Sequence, residues 1–284
     1  MKRLFKYGVA CALDNPSRNA PIILRGNIEQ VAATTKAIGY DGIELQIYDP
    51  QKYDWKNLTD VAQQHGLEYC AIATGRELFE HGLSLISDDA GVRRAAIDKL
   101  KVHIDLGAAI GCMVIIGTMR SNIPDMARYR YYEDLLTSAK LELADYAQTK
   151  AVHLVVENIL RAISNYLNTM KEVTDYVNRL NRDNIGIHLD TFSMLAEDND
   201  IAGCVRYCAK KLEYVHFSDS GRYYPGGGNV DFKTFMKALL EVGYTGYIST
   251  ECIPFPDEYT CAKRGLDYMH ALETCVVIER SSQR

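Results

Sequence analysis

Apolar residues along the chain fall into short β-rich runs that alternate with longer segments of helical period, from one end to the other. The runs predict eight strands: Tyr7–Leu13, Gly42–Ile47, Tyr69–Thr74, Met113–Gly117, His153–Glu157, Ile185–Asp190, Tyr214–Ser218 and Tyr247–Glu251. Between them the period lengthens. In Asp89–Leu106, Val92, Ala96, Ile97, Leu100, Val102 and Ile104 gather mostly on one side of a helix, while Arg93, Arg94, Lys99 and Lys101 take the other. Gly39, Gly66, Gly111 and Gly243 each stand two to four residues before the next strand, where a helix C-cap feeds a parallel sheet.

Eight β-then-α units at roughly 30 to 40 residues each are the arithmetic of an α/β fold of the (β/α)8 TIM barrel type. No Ser/Pro-rich linker or charge block interrupts the alternation, so residues 1–284 read as a single domain. A doubly wound open sheet is the alternative. It would place a Gly-rich phosphate turn after its first strand, and that place holds Ala12-Leu13-Asp14-Asn15-Pro16.

Composition narrows the classes further. The chain carries 32 Lys and Arg against 37 Asp and Glu, a formal net charge of −5. That balance works against nucleic acid as a partner, because phosphate neutralisation needs a basic face. No apolar stretch approaches the ~20 residues that cross a bilayer, and the first apolar run is too short for a signal-peptide core. The expectation is a cytoplasmic protein with no membrane partner. Its eight cysteines form no CxxC pair and read as reduced, mostly buried thiols, with Cys204 and Cys208 as helix packing.

In a barrel of this kind, chemistry sits at the C-terminal ends of the strands. Four consecutive strands end in metal-ligand residue types: Glu157, Asp190, His216 and Glu251, separated by 33, 26 and 35 residues. Each step is one βα unit, so the four converge on one rim. Any one of them alone is more simply a polar strand end bonded to neighbouring backbone; four in succession predict a site. Three oxygen donors and one imidazole suit one divalent ion, Mn²⁺ before Mg²⁺ or Co²⁺, with Zn²⁺ compatible.

The chain resembles the xylose-isomerase-like TIM barrels, in particular the ketose 3-epimerase and 5-keto-gluconate epimerase branch. The resemblance rests on Gly75-Arg76 with Gly82-Leu83-Ser84-Leu85, Glu157, Asp190-Thr191-Phe192, His216-Phe217-Ser218-Asp219-Ser220-Gly221-Arg222 leading to Pro225-Gly226-Gly227-Gly228, and Glu251-Cys252. It implies a metal-dependent epimerase or isomerase acting on a keto sugar or keto sugar acid. Glu157, Asp190, His216 and Glu251 would be the metal ligands and Arg222 a substrate-binding arginine. Glu157 and Glu251 would also exchange the α-proton on opposite faces, through an enediolate that the ion stabilises.

Two positions depart from that branch: Ile163 stands where it has a second glutamate, and Ser193 where it commonly has a histidine. His188, two residues before Asp190 and so on the same inner side of its strand, is a candidate for binding a substrate hydroxyl, or else a packing histidine. Arg120 and Arg161 occupy places where similar epimerases carry arginine, which implies substrate or supporting roles. Glu44 reads equally as a hydroxyl ligand or a partner for Arg76. His81 is a loop acid or a solvated side chain. His153 lies deeper in the barrel and reads as structural, and Gly226–Gly228 as a flexible turn leading to an Asp231 N-cap.

A second reading keeps the same proton abstraction but ends in loss of an aglycone. The resemblance extends to the catalytic subunits of C-glycoside deglycosidases, lyases that act on a 3-oxo-glycoside and need a small partner subunit. Tyr129-Arg130-Tyr131-Tyr132 and Tyr223-Tyr224 would then be the aromatic support for a flat ligand. A nuclease on the same barrel would need more histidine ligands and a basic face, and a non-catalytic barrel would not need the four-ligand set. The apolar face of Leu266–Val277 could carry a homo-oligomer contact, but barrel packing needs such a face anyway.

Overall fold

The computed structural model describes residues 3–282 and folds them as a closed barrel. Eight parallel strands run in sequential order: β1 (Lys6–Ala12), β2 (Gly42–Gln46), β3 (Glu68–Ala73), β4 (Met113–Ile116), β5 (Leu154–Glu157), β6 (Ile185–Asp190), β7 (Leu212–Phe217) and β8 (Tyr247–Thr250). Pairing of β1 with β8, from Lys6 opposite Tyr247 to Val9 opposite Thr250, closes the sheet. That pairing removes the open-sheet alternative. All eight strands fall where the apolar runs put them, within two residues at each end. A two-residue strand, Leu24–Arg25, pairs outside β1 and has no counterpart in the sequence reading.

Helices cover the outside of the barrel, and two of them show how the sequence sets their limits. The helix α1 (Ile28–Ile38) opens on a capping box between Asn27 and Gln30 and closes on Gly39 at φ 109°. The long helix expected from Asp89 spans Ala90–Ile110, with the Asp89 carboxylate accepting from the N–H groups of Gly91 and Val92. Its buried stripe is Ala96, Ile97, Leu100, His103, Ile104 and Leu106, so His103 takes the place that the apolar pattern gave to Val102. The last helix extends beyond Leu266–Val277 to cover Glu258–Ser282.

Most of the apolar core lies between strands and helices, while a small cluster of Cys70, Ala71, Ala73, Ile115, Val155 and Tyr214 fills the barrel interior. Two register shifts tune what faces that interior. Cys70 is an extra residue in β3 opposite the Ile43/Glu44 step, and Glu213 one in β7 opposite Ile187/His188. The second brings Asp190 level with His216. Below, His153 meets Glu213 at 2.8 Å, and its side chain is half-exposed at the N-terminal end rather than deep in the barrel.

All eight cysteines are free thiols, and among the described residues no helix is long and apolar enough to cross a membrane. The chain's first strand is fastened to its last helix through Glu273, whose carboxylate accepts from the Tyr7 hydroxyl at 2.8 Å and from the Leu4 N–H. Both Tyr7 and Glu273 are buried. Replacing Glu273 by Ala orphans a buried hydroxyl and a backbone donor, and is expected to cost roughly 2–4 kcal/mol in urea unfolding without changing metal affinity.

Candidate active site

The C-terminal rim encloses a cavity of about 520 Å³ whose floor carries Glu157, His216, Glu251, Arg222 and Gln46. Glu157 ends β5, Asp190 ends β6, His216 is the penultimate residue of β7 and Glu251 follows β8 directly. All four therefore stand at one rim, while the donor sets that lie within 4.8 Å of one another are Glu157, His188 and His216, and Glu44, His216 and Glu251. His216 Nδ1 lies 3.5 Å from Glu251 Oε2 and 3.9 Å from Asp190 Oδ2. Arg222 brings its Nη1 to 2.6 Å from Asp190 Oδ2 and 2.9 Å from Glu251 Oε2, while its guanidinium stacks on Phe192 at 4.7 Å.

Glu44 is neither a cavity residue nor a partner of Arg76. Its fully buried carboxylate faces His216 Nε2 at 2.6 Å and accepts from the Tyr214 hydroxyl at 2.7 Å. Burial lowers the pKa of His216, but Glu44 at Nε2 and Glu251 beside Nδ1 outweigh it and raise the pKa well above the ordinary value, with Nδ1 facing Asp190 and Glu251. Gln46 completes the arrangement by donating to Glu251 Oε1 at 2.7 Å and to Glu44 Oε1 at 3.1 Å. Arg76 pairs instead with Asp14 and Glu80.

The environments of the two glutamates push their protonation in opposite directions. Burial, with Asp190 and Glu251 nearby, raises the pKa of Glu157. Burial acts the same way on Glu251, but Arg222 and His216 more than offset it and hold its pKa below the ordinary value. For His188 burial dominates, reinforced by His216 and Arg222, so the ring is neutral. His188 packs edge-on against His216, with centroids 4.0 Å apart, and neither of its nitrogens has a hydrogen-bond partner.

Unpaired atoms decide whether these residues suit a divalent cation. Asp190 Oδ2, Glu251 Oε2, His216 Nδ1 and both His188 nitrogens are buried without an aligned hydrogen bond, and Arg222 Nη1 is close to its carboxylates but points no N–H along the contact. Buried polar atoms are rarely left so. Donor atoms of Glu157, His188 and His216 lie within 4.8 Å of one another, as do those of Glu44, His216 and Glu251. Asp190 and Glu251 face the Arg222 guanidinium and Glu44 faces His216, with Glu157 as a fourth carboxyl group on the same floor. An oxygen-rich donor set of this kind fits a hard divalent ion.

A family model described as the xylose isomerase-like TIM barrel matches residues 32–274. The chain belongs to that family. It is 31% identical to a ketose 3-epimerase of Arthrobacter globiformis over 76% of this chain and 74% of that protein. An L-ribulose 3-epimerase of a Methylomonas species is 32% identical over 80% and 78%. Among solved structures, the D-allulose 3-epimerase of a Methylomonas species in complex with D-allulose superposes with a TM-score of 0.80 at 26% identity, covering 95% of this chain and 98% of that one.

Several residues expected to bind substrate stand elsewhere in this xylose isomerase-like barrel. Arg120 is fully buried and spends its guanidinium on the carbonyls of Glu157, Tyr166 and Leu167, at 2.7–3.0 Å, so it positions the Glu157 main chain from behind. Arg161 is exposed, beside Glu197 in a separate groove. His81 closes the short helix Arg76–His81, with its Nδ1 2.8 Å from Glu77 Oε2 and its ring on Tyr48; it does not line the cavity. Tyr129, Tyr131, Tyr132, Tyr223 and Tyr224 do not line it either.

The turn at Gly226–Gly228 is better ordered than a flexible link. Asp219 accepts from the N–H groups of Ser220, Gly226 and Val230 at 2.8–2.9 Å, wrapping the loop around one carboxylate, and Asp231 caps the next helix as expected. The wrapped loop holds Arg222 at φ 58°, a left-handed conformation unusual for arginine. Gln46 and Tyr214 were not singled out from the sequence, although each lies two residues from a named residue, Glu44 and His216, and so faces the same side of its strand.

Two substitutions test this geometry. Glu44→Gln keeps an acceptor for His216 but loses the charge, and is expected to weaken Mn²⁺ binding about tenfold by calorimetry. A Cβ at Gly117 would collide with Glu157 Oε2. Gly117→Ala should therefore displace that carboxylate and weaken Mn²⁺ binding by a similar factor, with little change in melting temperature.

Proposed function

We propose that this protein is a divalent-metal-dependent epimerase or isomerase of keto sugars that moves a proton α to the carbonyl. The observation that carries the reading is the pair Glu157 and Glu251 on one cavity floor, in environments that favour the protonated form of the first and the ionised form of the second. The family and the epimerases it matches support the same reaction class.

Glu157, Asp190, His216 and Glu251 would hold the cation, with Mn²⁺ the proposed ion and Mg²⁺, Co²⁺ or Zn²⁺ the alternatives. When bound, it supplies Lewis-acid polarisation of the substrate carbonyl and lowers the cost of removing the adjacent proton. The side chains do the rest. Glu251, kept ionised by Arg222 and His216, takes the proton from one face; Glu157 returns one to the other, and the roles reverse for the opposite configuration. Arg222 anchors a substrate oxygen, placed by the Asp219-centred loop and the Phe192 ring. Neutral His188 supports His216 from below rather than meeting the substrate directly, since it does not line the cavity.

Proton NMR in D₂O with the Mn²⁺-loaded protein and a panel of free ketoses tests this. Deuterium should enter at a carbon beside the carbonyl as a new epimer accumulates. Glu157→Gln and Glu251→Gln should each reduce the rate at least a hundredfold. Full exchange by either variant would overturn the assignment of that glutamate.

A further inference from the structure

Packing alone does not account for His188. Three histidines are buried among the described residues, and two of them have polar partners. His103 has its Nε2 2.9 Å from Glu77 Oε1, and His216 faces Glu44 at 2.6 Å. His188 has no exposed surface, and neither of its nitrogens is bonded. A histidine kept only to fill space is usually bonded through at least one nitrogen, because burying both without a partner forfeits their hydrogen bonds to water. An apolar ring would fill the same space without that loss.

The aromatic neighbours of His188 have nothing left to give it. Tyr214, with its ring centroid 5.2 Å away, donates its hydroxyl to Glu44, and His216 at 4.0 Å holds its Nε2 against the same carboxylate. The extra residue Glu213 in β7 is what sets Tyr214 rather than a carboxylate opposite His188.

Strand register shows what stands level with the ring. β5 and β6 pair so that Glu157 is opposite His188, and β6 and β7 pair so that Asp190 is opposite His216. The inner side of β6 thus presents His188 and then Asp190, flanked by Glu157 on one strand and His216 on the other. One oxygen of Glu157 and one nitrogen from each of these two histidines lie within 4.8 Å of one another. The second group at that spacing, Glu44 with His216 and Glu251, differs in kind: Glu44 is spent on Tyr214, Gln46 and His216, whereas His188 is spent on nothing.

We infer that His188 is a fifth ligand of the divalent cation, adding a second imidazole to Glu157, Asp190, His216 and Glu251. The inference rests on the metal-dependent reading proposed above. Because His188 does not line the cavity, it occupies a coordination position without taking the side that substrate approaches. A second nitrogen donor also strengthens Co²⁺ binding more than Mn²⁺ binding, so the role of His188 is read in the ratio of the two affinities rather than in either alone.

X-ray absorption of the full-length Co²⁺-loaded protein counts imidazoles directly, through scattering from their ring carbons. Two per ion are expected in the unsubstituted protein and one in His188→Phe, which keeps a ring in the same space and removes both nitrogens. Titration calorimetry with Co²⁺ and with Mn²⁺ supplies the second readout. His188→Phe is expected to lower the Co²⁺-to-Mn²⁺ affinity ratio about tenfold, whereas a packing role leaves that ratio where it was. If the variant does not fold, the count in the unsubstituted protein decides by itself, since His216 supplies only one imidazole. One imidazole in the unsubstituted protein, two in the variant, or an unchanged ratio in a folded variant overturns the inference. Deuterium exchange into a ketose by the same metal-loaded protein then leaves the proton-transfer reading standing. Failure to bind either ion overturns the metal-dependent reading and the inference together.

Discussion

The hydrogen bonds between β1 and β8 close the barrel, and the site depends on that closure. Glu44 on β2 meets His216 on β7, and Gln46 on β2 meets Glu251 beyond β8; in sequence these partners are more than 170 residues apart. In an open sheet β2 and β7 would lie far from each other. Closed, they face across an interior only wide enough for side chains, so one buried carboxylate can orient the imidazole and one amide can hold two carboxylates.

Concentrating acidic groups in that interior is costly unless the charge is balanced, and the protein balances it in graded fashion. Arg222 stands between Asp190 and Glu251, fixed by a loop wound around Asp219. His216 sits between Glu44 below and the rim carboxylates above. The carboxylate oxygens of Asp190 and Glu251 and Nδ1 of His216 converge on one place, where Arg222 reaches the two carboxylates. The asymmetry between Glu157 and Glu251 follows from the same layout, because Arg222 reaches Glu251 directly while the strongest influences on Glu157 are burial and neighbouring negative charge.

Rigid loops extend this logic to the cavity mouth. Arg25 donates to the carbonyls of Pro16, Ala20 and Ile22, and Asn122 and Asn165 bond each other's loops, so these side chains spend their polar groups on holding the rim. The consequence is a charged floor set among loops that polar side chains hold in place. Arg120 illustrates the distinction: an arginine beside the active strand, wholly committed to backbone carbonyl groups.

Periodicity along the chain determined the eight strands and the helices between them, because apolar alternation and glycine stops are local properties. Reading strand ends then determined Glu157, Asp190, His216 and Glu251, since a barrel sends every strand end to one rim. The partners of those residues were decided by tertiary structure alone. Whether Glu44 met Arg76 or His216, whether Arg120 reached the cavity or the backbone, and whether Gly226–Gly228 was loose or wrapped around Asp219 depended on barrel closure, on the two register shifts at Cys70 and Glu213, and on loops packing against distant segments. A single sequence carries strand order and residue type, but hydrogen-bond partners across a closed barrel are set by distances that exist only once the chain is folded.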